Sequence, residues 1–301
     1  MPIALRKGIR TCTNHPISRF VSYDRLSPSY HAFVSVLDSI QIPTTIQEAL
    51  KHPEWSKAVR AEINALEKNK TWRITELPHG KRPVGCKWLF TIKYNADDSI
   101  ERLKARLVAK GFTQSYGIDY QETFAPVAKL NTIRILISLA ANQDCHLHQL
   151  DIKNAFLNGQ LEEEVYVTQP PGFDVKGKES KVYRLRKALY GLKQALRAWN
   201  KRIDSFLIEA GFTKCVSEHR VYVNDVDSVS RIILCLYVDD LLITGDEEAE
   251  IVKVKSKLMQ EFEMYDLGNL SYFLGMEFKN TEEGVFLHQT KYAQDIMKSS
   301  T

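Results

Sequence analysis

From Val84 to Tyr94 every second position along the chain is apolar. Val84, Cys86, Trp88, Phe90, Ile92 and Tyr94 fall on one side, with mostly polar residues between them. Strict period two predicts a strand with one buried face. "NADDS" is turn chemistry, and Leu103, Ala105 and Leu107 resume the alternation, so the segment predicts a β-hairpin. Its other face is basic: Lys87, Lys93, Arg102, Lys104 and Arg106. Ahead of it the period changes. Pro53 stands where a helix tolerates proline, and Trp55, Val59, Ile63 and Leu66 share one face. Beyond the hairpin, "TIRILISLAANQ" predicts a helix capped by Asn131, followed by a short strand, "HLHQL", ending on Asp151. "EEVYV" and "KVYRLR" predict further short strands around "QPPG". Leu192, Leu196, Trp199, Ile203, Phe206 and Leu207 mark an amphipathic helix stopping at Gly211. "RVYV", "RIILCLYV" and "LLIT" predict three more strands. Asp246, Glu247 and Glu248 then open a helix at its positive end, with Ile251, Val254, Leu258 and Phe262 as its core face. Paired antiparallel strands with interspersed helices predict an α+β fold, and no internal repeat is present.

Composition changes this picture little. The chain has 301 residues, 44% hydrophobic and 26% charged, with a formal net charge of +4. That is an ordinary globular balance, and the net charge alone indicates no nucleic-acid partner. Its distribution says more. Lys181–Arg202 holds eight Lys/Arg and no acid, and Lys81–Lys110 holds eight against three acids. Such clusters can bind phosphate backbones, although solvated helix and strand faces account for them equally well. Five cysteines without a CxxC spacing read as reduced thiols of an intracellular protein. No apolar run is long enough for a signal peptide or a membrane span. Residues 1–44, with four prolines and weak periodicity, read as a linker.

The candidate chemistry lies in "LYVDDLLITGD" (Leu236–Asp246). Adjacent carboxylates on a straight strand point to opposite faces, so Asp239 and Asp240 converge only if the chain turns there. A hairpin tip would aim them at the neighbouring strand, and Asp151 also ends an apolar strand. At about 4 Å two such charges repel by roughly 4 kcal/mol at an effective dielectric of 20. Three gathered carboxylates therefore call for a cation, and hard oxygen ligands favour Mg²⁺. An ordinary acidic turn also satisfies the spacing.

At this point a series of segments resembles the polymerase of copia-type long-terminal-repeat retrotransposons. They are "GCKWLFTIKY", "KARLVAKGFTQ", "GIDYQETFAPVAKL", "QLDIKNAFLNG", "EEVYVTQPPGF", "LYGLKQALRAW", "LYVDDLLITGD" and "YFLGMEF", in the family's order. "YVDD" resembles the reverse transcriptase motif, and "HPISRFVSYDRLSPSYHAF" resembles the family's segment between integrase and polymerase. The resemblance implies the fingers and palm of a right-hand polymerase over residues 45–298, with a fingers hairpin at about 82–110 and a palm at about 120–280. The palm would be an antiparallel sheet backed by helices, with an incomplete thumb and a truncated tail at 299–301. It implies RNA-directed DNA synthesis from dNTPs on a primed RNA or DNA template.

The same resemblance implies roles for single residues. Asp151, Asp239 and Asp240 would be catalytic and would hold two Mg²⁺ ions, for which Mn²⁺ can substitute; such a pair drives phosphoryl transfer in polymerases. Phe156 would reject a ribose 2′-hydroxyl, unless it is only a core aromatic. Gly191 would let the backbone approach the template–nucleotide pair, with Lys193, Gln194 and Arg197 nearby, Arg197 being equally explained as a solvated position. Lys104, Arg106 and Lys110 would contact triphosphate or template. Leu274, Gly275 and Met276, in "YFLGMEF", would form the primer grip. His146 and His148 read as structural.

Two substitutions depart from the family pattern: Leu196 replaces a proline, and Tyr265 replaces a lysine in the region associated with protonating pyrophosphate. No segment resembles the family's ribonuclease H, protease or integrase, so further Pol segments would be partners. The expected location is intracellular, in a cytoplasmic virus-like particle or the nucleus. The competing reading is an impaired remnant that at most binds nucleic acid.

Overall fold

The computed structural model describes residues 41–94, 99–143, 145–226, 230–281 and 284–300. The expected linker therefore lies, up to residue 40, outside the described residues, as does Cys12. The chain begins with α1 (Ile46–Lys51), capped by Thr45, whose hydroxyl accepts the Glu48 N–H, and α2 (Pro53–Lys68), with proline at its start. Strand β1 (Trp72–Thr75) precedes the hairpin β2 (Cys86–Tyr94) and β3 (Ile100–Ala109). Helix α3 (Leu130–Asn142), β4 (Leu147–Ile152), β5 (Tyr166–Val167), β6 (Val182–Leu185) and α4 (Ala195–Glu209) follow. Then come β7 (Thr213–Lys214), β8 (Val221–Val226), β9 (Ser230–Tyr237), β10 (Asp240–Gly245) and α5 (Glu248–Glu261). The chain closes with β11 (Met264–Asn269), β12 (Tyr272–Phe273), β13 (Met276–Thr281), β14 (Gly284–His288) and α6 (Thr290–Ser300).

The centre is a six-stranded antiparallel sheet in the order β11-β4-β10-β9-β8-β7. Alternation along its strands sends Leu150, Ile152, Leu234, Leu236, Leu241 and Ile243 to one face. There they pack on Trp199, Ile203 and Leu207 of α4 and on Ile251, Leu258 and Phe262. On the other face Leu242 and Cys235 meet Ile133, Leu136 and Ile137 of α3, with Phe273, Met276 and Phe278 of the small β12-β13-β14 sheet. Asp151 lies in the same strand as Leu150 and Ile152 but out of phase with them, so it shares the second face, beyond the helical cover.

The β2–β3 hairpin is a separate two-stranded sheet. Phe90 and Ala105 pack on Trp55 and Val59 of α2, while Cys86, Leu107 and Ala109 join a core with Val165, Val167, Leu189 and Leu192. Glu62 of α2 is buried against it and accepts the Leu107 N–H at 3.2 Å. Burial pushes that carboxyl above its usual range.

Several boundaries differ from the sequence pattern. Lys129, not Asn131, caps α3: its carbonyl receives the Thr132 and Ile133 amides, so Asn131 sits inside the first turn. Strand β4 continues past Asp151 to Ile152. Strand β11 was not legible because, as an edge with a bulge between Asp266 and Gly268, it buries little beyond Met264. Leu196 lies in the first turn of α4, where the first helical bond runs from the Ala198 N–H to the Gln194 carbonyl. Its own N–H is not needed by the helix, so leucine there leaves the start of α4 where the family's proline would set it.

Candidate active site

Asp239 and Asp240 stand at the tip of the β9–β10 hairpin. Tyr237 pairs with Asp240, leaving Val238 and Asp239 as a two-residue loop. Val238 has φ 56, a left-handed conformation that costs a β-branched residue about 1–3 kcal/mol. Two bonds hold it there: the buried Trp199 indole donates to the Val238 carbonyl at 2.8 Å, and the Ile152 N–H donates to the Asp239 carbonyl at 2.9 Å. Trp199→Phe leaves that carbonyl without its donor. The variant is expected to lose about 1–3 kcal/mol in urea unfolding, and an unchanged midpoint would show that the turn holds itself.

Across the sheet, Asp240 is in register with Asp151, and Asp151 with Tyr265. Opposed residues of an antiparallel pair share a face, so three strands line up Asp240, Asp151 and Tyr265. Asp240 accepts from the Gln149 amide at 3.2 Å; burial raises its carboxyl pKa and Asp151 adds to the rise. Asp239 is pushed up to about 6, first by burial and then by Asp151 and Asp240, against the pull of Arg106.

A cleft of about 320 Å³ opens between this sheet end and the hairpin. Asp151, Asp239, Lys153 and Asn154 line one wall, and Arg102, Lys104 and Arg106 the other. Burial and the neighbouring arginines push the Lys104 ammonium down. The Arg106 guanidinium carbon lies 4.4 Å from the centre of the Tyr190 ring, which meets Phe156 at 4.9 Å. At the mouth, Arg102 donates to the Tyr265 hydroxyl at 3.2 Å, and Lys153 sits 3.9 Å over the Tyr265 ring.

Polar satisfaction singles out this place. Among the described residues, five buried side-chain polar atoms lack a hydrogen-bond partner. Three of them cluster here: Arg106 Nε, the Tyr190 hydroxyl and Asp239 Oδ1. Buried polar groups are otherwise almost always paired, so a polar ligand bound here would satisfy groups that the protein leaves open.

The remaining expected residues scatter. Phe156 is half-buried in a short 3-10 turn after Asn154 and contacts two cores. Gly191 has φ 88, and its close neighbour is the Ala109 carbonyl of β3, 2.2 Å from where a Cβ would lie. Gln194, expected beside the nucleotide, is buried, and its amide is engaged by Gln114 and the Asp119 carbonyl. The Lys193 ammonium reaches the Tyr120 hydroxyl at 3.4 Å. Both serve the 114–120 segment, because the residues leading into α4 dock against it. Lys110 does not line the cleft; its chain lies against Gly85 at the hairpin base. Leu274 and Gly275, both with positive φ, form the β12–β13 turn, and Met276 is buried. His148 bonds Glu248 at 3.0 Å and lies 3.4 Å from Lys255, a structural setting.

The sequence pattern did not single out Arg102, Lys153 or Tyr190 as part of the site. Tyr190 lies inside a quoted segment, but nothing local indicates that its ring is buried between Arg106 and Phe156 rather than turned to solvent.

Among the described residues no group of three or more His, Cys, Asp or Glu is placed to hold a metal ion by itself. Mg²⁺ sites that act on phosphates use one or two carboxylates and complete their shell with substrate. The all-oxygen donors and the unpartnered Asp239 Oδ1 fit that chemistry. No helix among the described residues is long and apolar enough to cross a membrane.

This sheet and its carboxylate tip belong to a chain of the reverse transcriptase class. Residues 69–301 match the family described as "Reverse transcriptase (RNA-dependent DNA polymerase)", and the chain is a member of it. More narrowly, its relatives are copia-type Pol polyproteins. It is 45% identical over 261 residues to the retrovirus-related Pol polyprotein from transposon TNT 1-94 of Nicotiana tabacum, covering 85% of this chain and 20% of that one. It is 43% identical over 272 residues to the counterpart from transposon RE1 of Arabidopsis thaliana, covering 90% and 18%. The transposon Ty1-ER2 Gag-Pol polyprotein of Saccharomyces cerevisiae is 29% identical over 253 residues, covering 78% and 13%. The chain thus spans about a fifth of the length of the plant relatives it matches.

Proposed function

We propose that the chain is the RNA-directed DNA polymerase domain of a copia-type element, joining dNTPs to a primer 3′-hydroxyl on an RNA or DNA template. In this reading the six-stranded sheet is the palm and the β2–β3 hairpin the fingers. The observation that carries it is the unpartnered Asp239 carboxylate oxygen, buried beside Asp151 and faced by Arg106 and Lys104.

Asp151 and Asp239, with Asp240 ancillary, would hold two Mg²⁺ or Mn²⁺ ions, which when bound activate the attacking hydroxyl and stabilise the leaving pyrophosphate. Lys104 and Arg106 neutralise the triphosphate, and Arg102 and Lys153 extend that basic wall. Phe156 faces the sugar and favours a deoxynucleotide. Gly191 brings the segment before α4 against β3 and so shapes the nucleotide pocket. The Leu274–Met276 turn holds the primer end. The remaining Pol segments, ribonuclease H and integrase, act as partners.

Extension of oligo(dT) on poly(rA) with Mg²⁺ or Mn²⁺ tests this, comparing the chain with Asp239→Asn. Synthesis that disappears in the variant is the expected result. A folded chain that binds primer–template but never extends it would leave the competing reading, a nucleic-acid-binding remnant.

A further inference from the structure

The proposed chemistry leaves without a task one buried group that lies behind the cleft wall, against its lining residue Arg106. Tyr190 is 8% exposed and held from several directions. Its carbonyl accepts the Ala109 N–H of β3 at 2.7 Å. Its ring meets Phe156 at 4.9 Å and carries the Arg106 guanidinium at 4.4 Å. Yet its hydroxyl has no hydrogen-bond partner, and neither has the adjacent Arg106 Nε. Phenylalanine would fill the same space and keep both ring contacts. For the fold alone, then, the hydroxyl is a liability: a buried donor without an acceptor destabilises the native state.

We infer that Tyr190 is a nucleotide-positioning residue whose hydroxyl donates to an oxygen of the incoming dNTP. This rests on the polymerase reading above. The acceptor lies between the sugar, which Phe156 faces, and the triphosphate, which Arg106 holds, because Tyr190 touches both side chains. The ligand is the acceptor because the protein groups in electrostatic reach of the phenol, Asp239, Glu62 and Asp151, do not bond it. The ring acts separately, as the surface on which Arg106 is fixed before nucleotide arrives. One residue therefore links the sugar side of the pocket to its phosphate side.

Tyr190→Phe separates the two roles. The probe is dTTP, titrated onto a stalled complex of the chain with poly(rA) and a dideoxy-terminated oligo(dT) primer in Mg²⁺. The variant is expected to bind dTTP about fivefold more weakly, the factor carried by one hydrogen bond of ordinary net strength. With an extendable primer, the loss should appear in the dTTP KM rather than in kcat. Its urea unfolding midpoint should be unchanged or higher, the opposite of what a structural hydroxyl predicts. Tyr190→Ala, which also removes the support of Arg106, should bind dTTP more weakly than Tyr190→Phe. Equal dTTP binding by wild type and Tyr190→Phe, or a lower unfolding midpoint in Tyr190→Phe, overturns the inference while leaving the polymerase reading intact. A wild-type complex that retains no dTTP overturns that reading, and the inference with it.

Discussion

Gly191→Ala is expected to destabilise the chain by about 3–5 kcal/mol and to remove nucleotide binding with it. Two costs combine at this position. The backbone has φ 88, which an L side chain adopts under strain, and the new Cβ would stand 2.2 Å from the Ala109 carbonyl oxygen and 2.6 Å from Val108 Cγ1. That carbonyl cannot retreat freely, because the Ala109 N–H is bonded to the Tyr190 carbonyl at 2.7 Å. Relief requires β3 to lift, carrying Lys104 and Arg106 away from the carboxylates. Gly117→Ala separates strain from clash: its φ is 79 but nothing lies within 4 Å of where a Cβ would stand. It should cost only about 1 kcal/mol. Urea unfolding of both variants checks the comparison, and equal losses would show that the hairpin contact contributes nothing.

Asp239→Asn is expected to stabilise the metal-free chain at neutral pH while abolishing extension. The folded carboxyl titrates at about 6, against an ordinary value of 3.8. A raised acid favours its protonated form in the folded state, so wild-type stability is greatest below the lower value and falls as pH rises between the two. Above that window the charge costs about 3 kcal/mol. Asparagine carries no such charge, so its advantage should grow between the two values and then level off. Mg²⁺ should narrow the gap at pH 7.5, since an ion held by the folded wild type stabilises it by mass action and the variant loses that site. Unfolding with and without Mg²⁺ across pH 4–8 measures both effects. A variant no more stable than wild type in metal-free buffer would mean that Asp239 is solvated in the folded state.

These two expectations come from different kinds of information. The basic hairpin was legible because its alternation runs from Cys86 to Tyr94 and again through Leu103, Ala105 and Leu107, and local period reports which side is buried. The turn at Asp239 was legible for a related reason: two adjacent carboxylates between apolar runs leave the backbone few alternatives to a hairpin. The motif series that implied the family was equally local, and the family match agrees with it. Asn131 was misread because asparagine is a good cap in general, while here the Lys129 carbonyl already starts the helix. Gln194 was expected at the nucleotide because its motif lies there, but only the docked 114–120 segment shows that its amide is already bonded.

By itself, then, the sequence determined the α+β class, the hairpins and the helical faces, since each follows from spacing along one segment, while the three acids were assigned as a catalytic set only by the resemblance to the family. The tertiary structure decided the alignment of Asp240, Asp151 and Tyr265, the left-handed Val238 held by Trp199, and the buried meeting of Tyr190, Arg106 and Phe156. Those depend on register and packing between segments far apart in the chain. Periodicity reports which face of a segment is buried, but carries no information on which distant residue that face will meet.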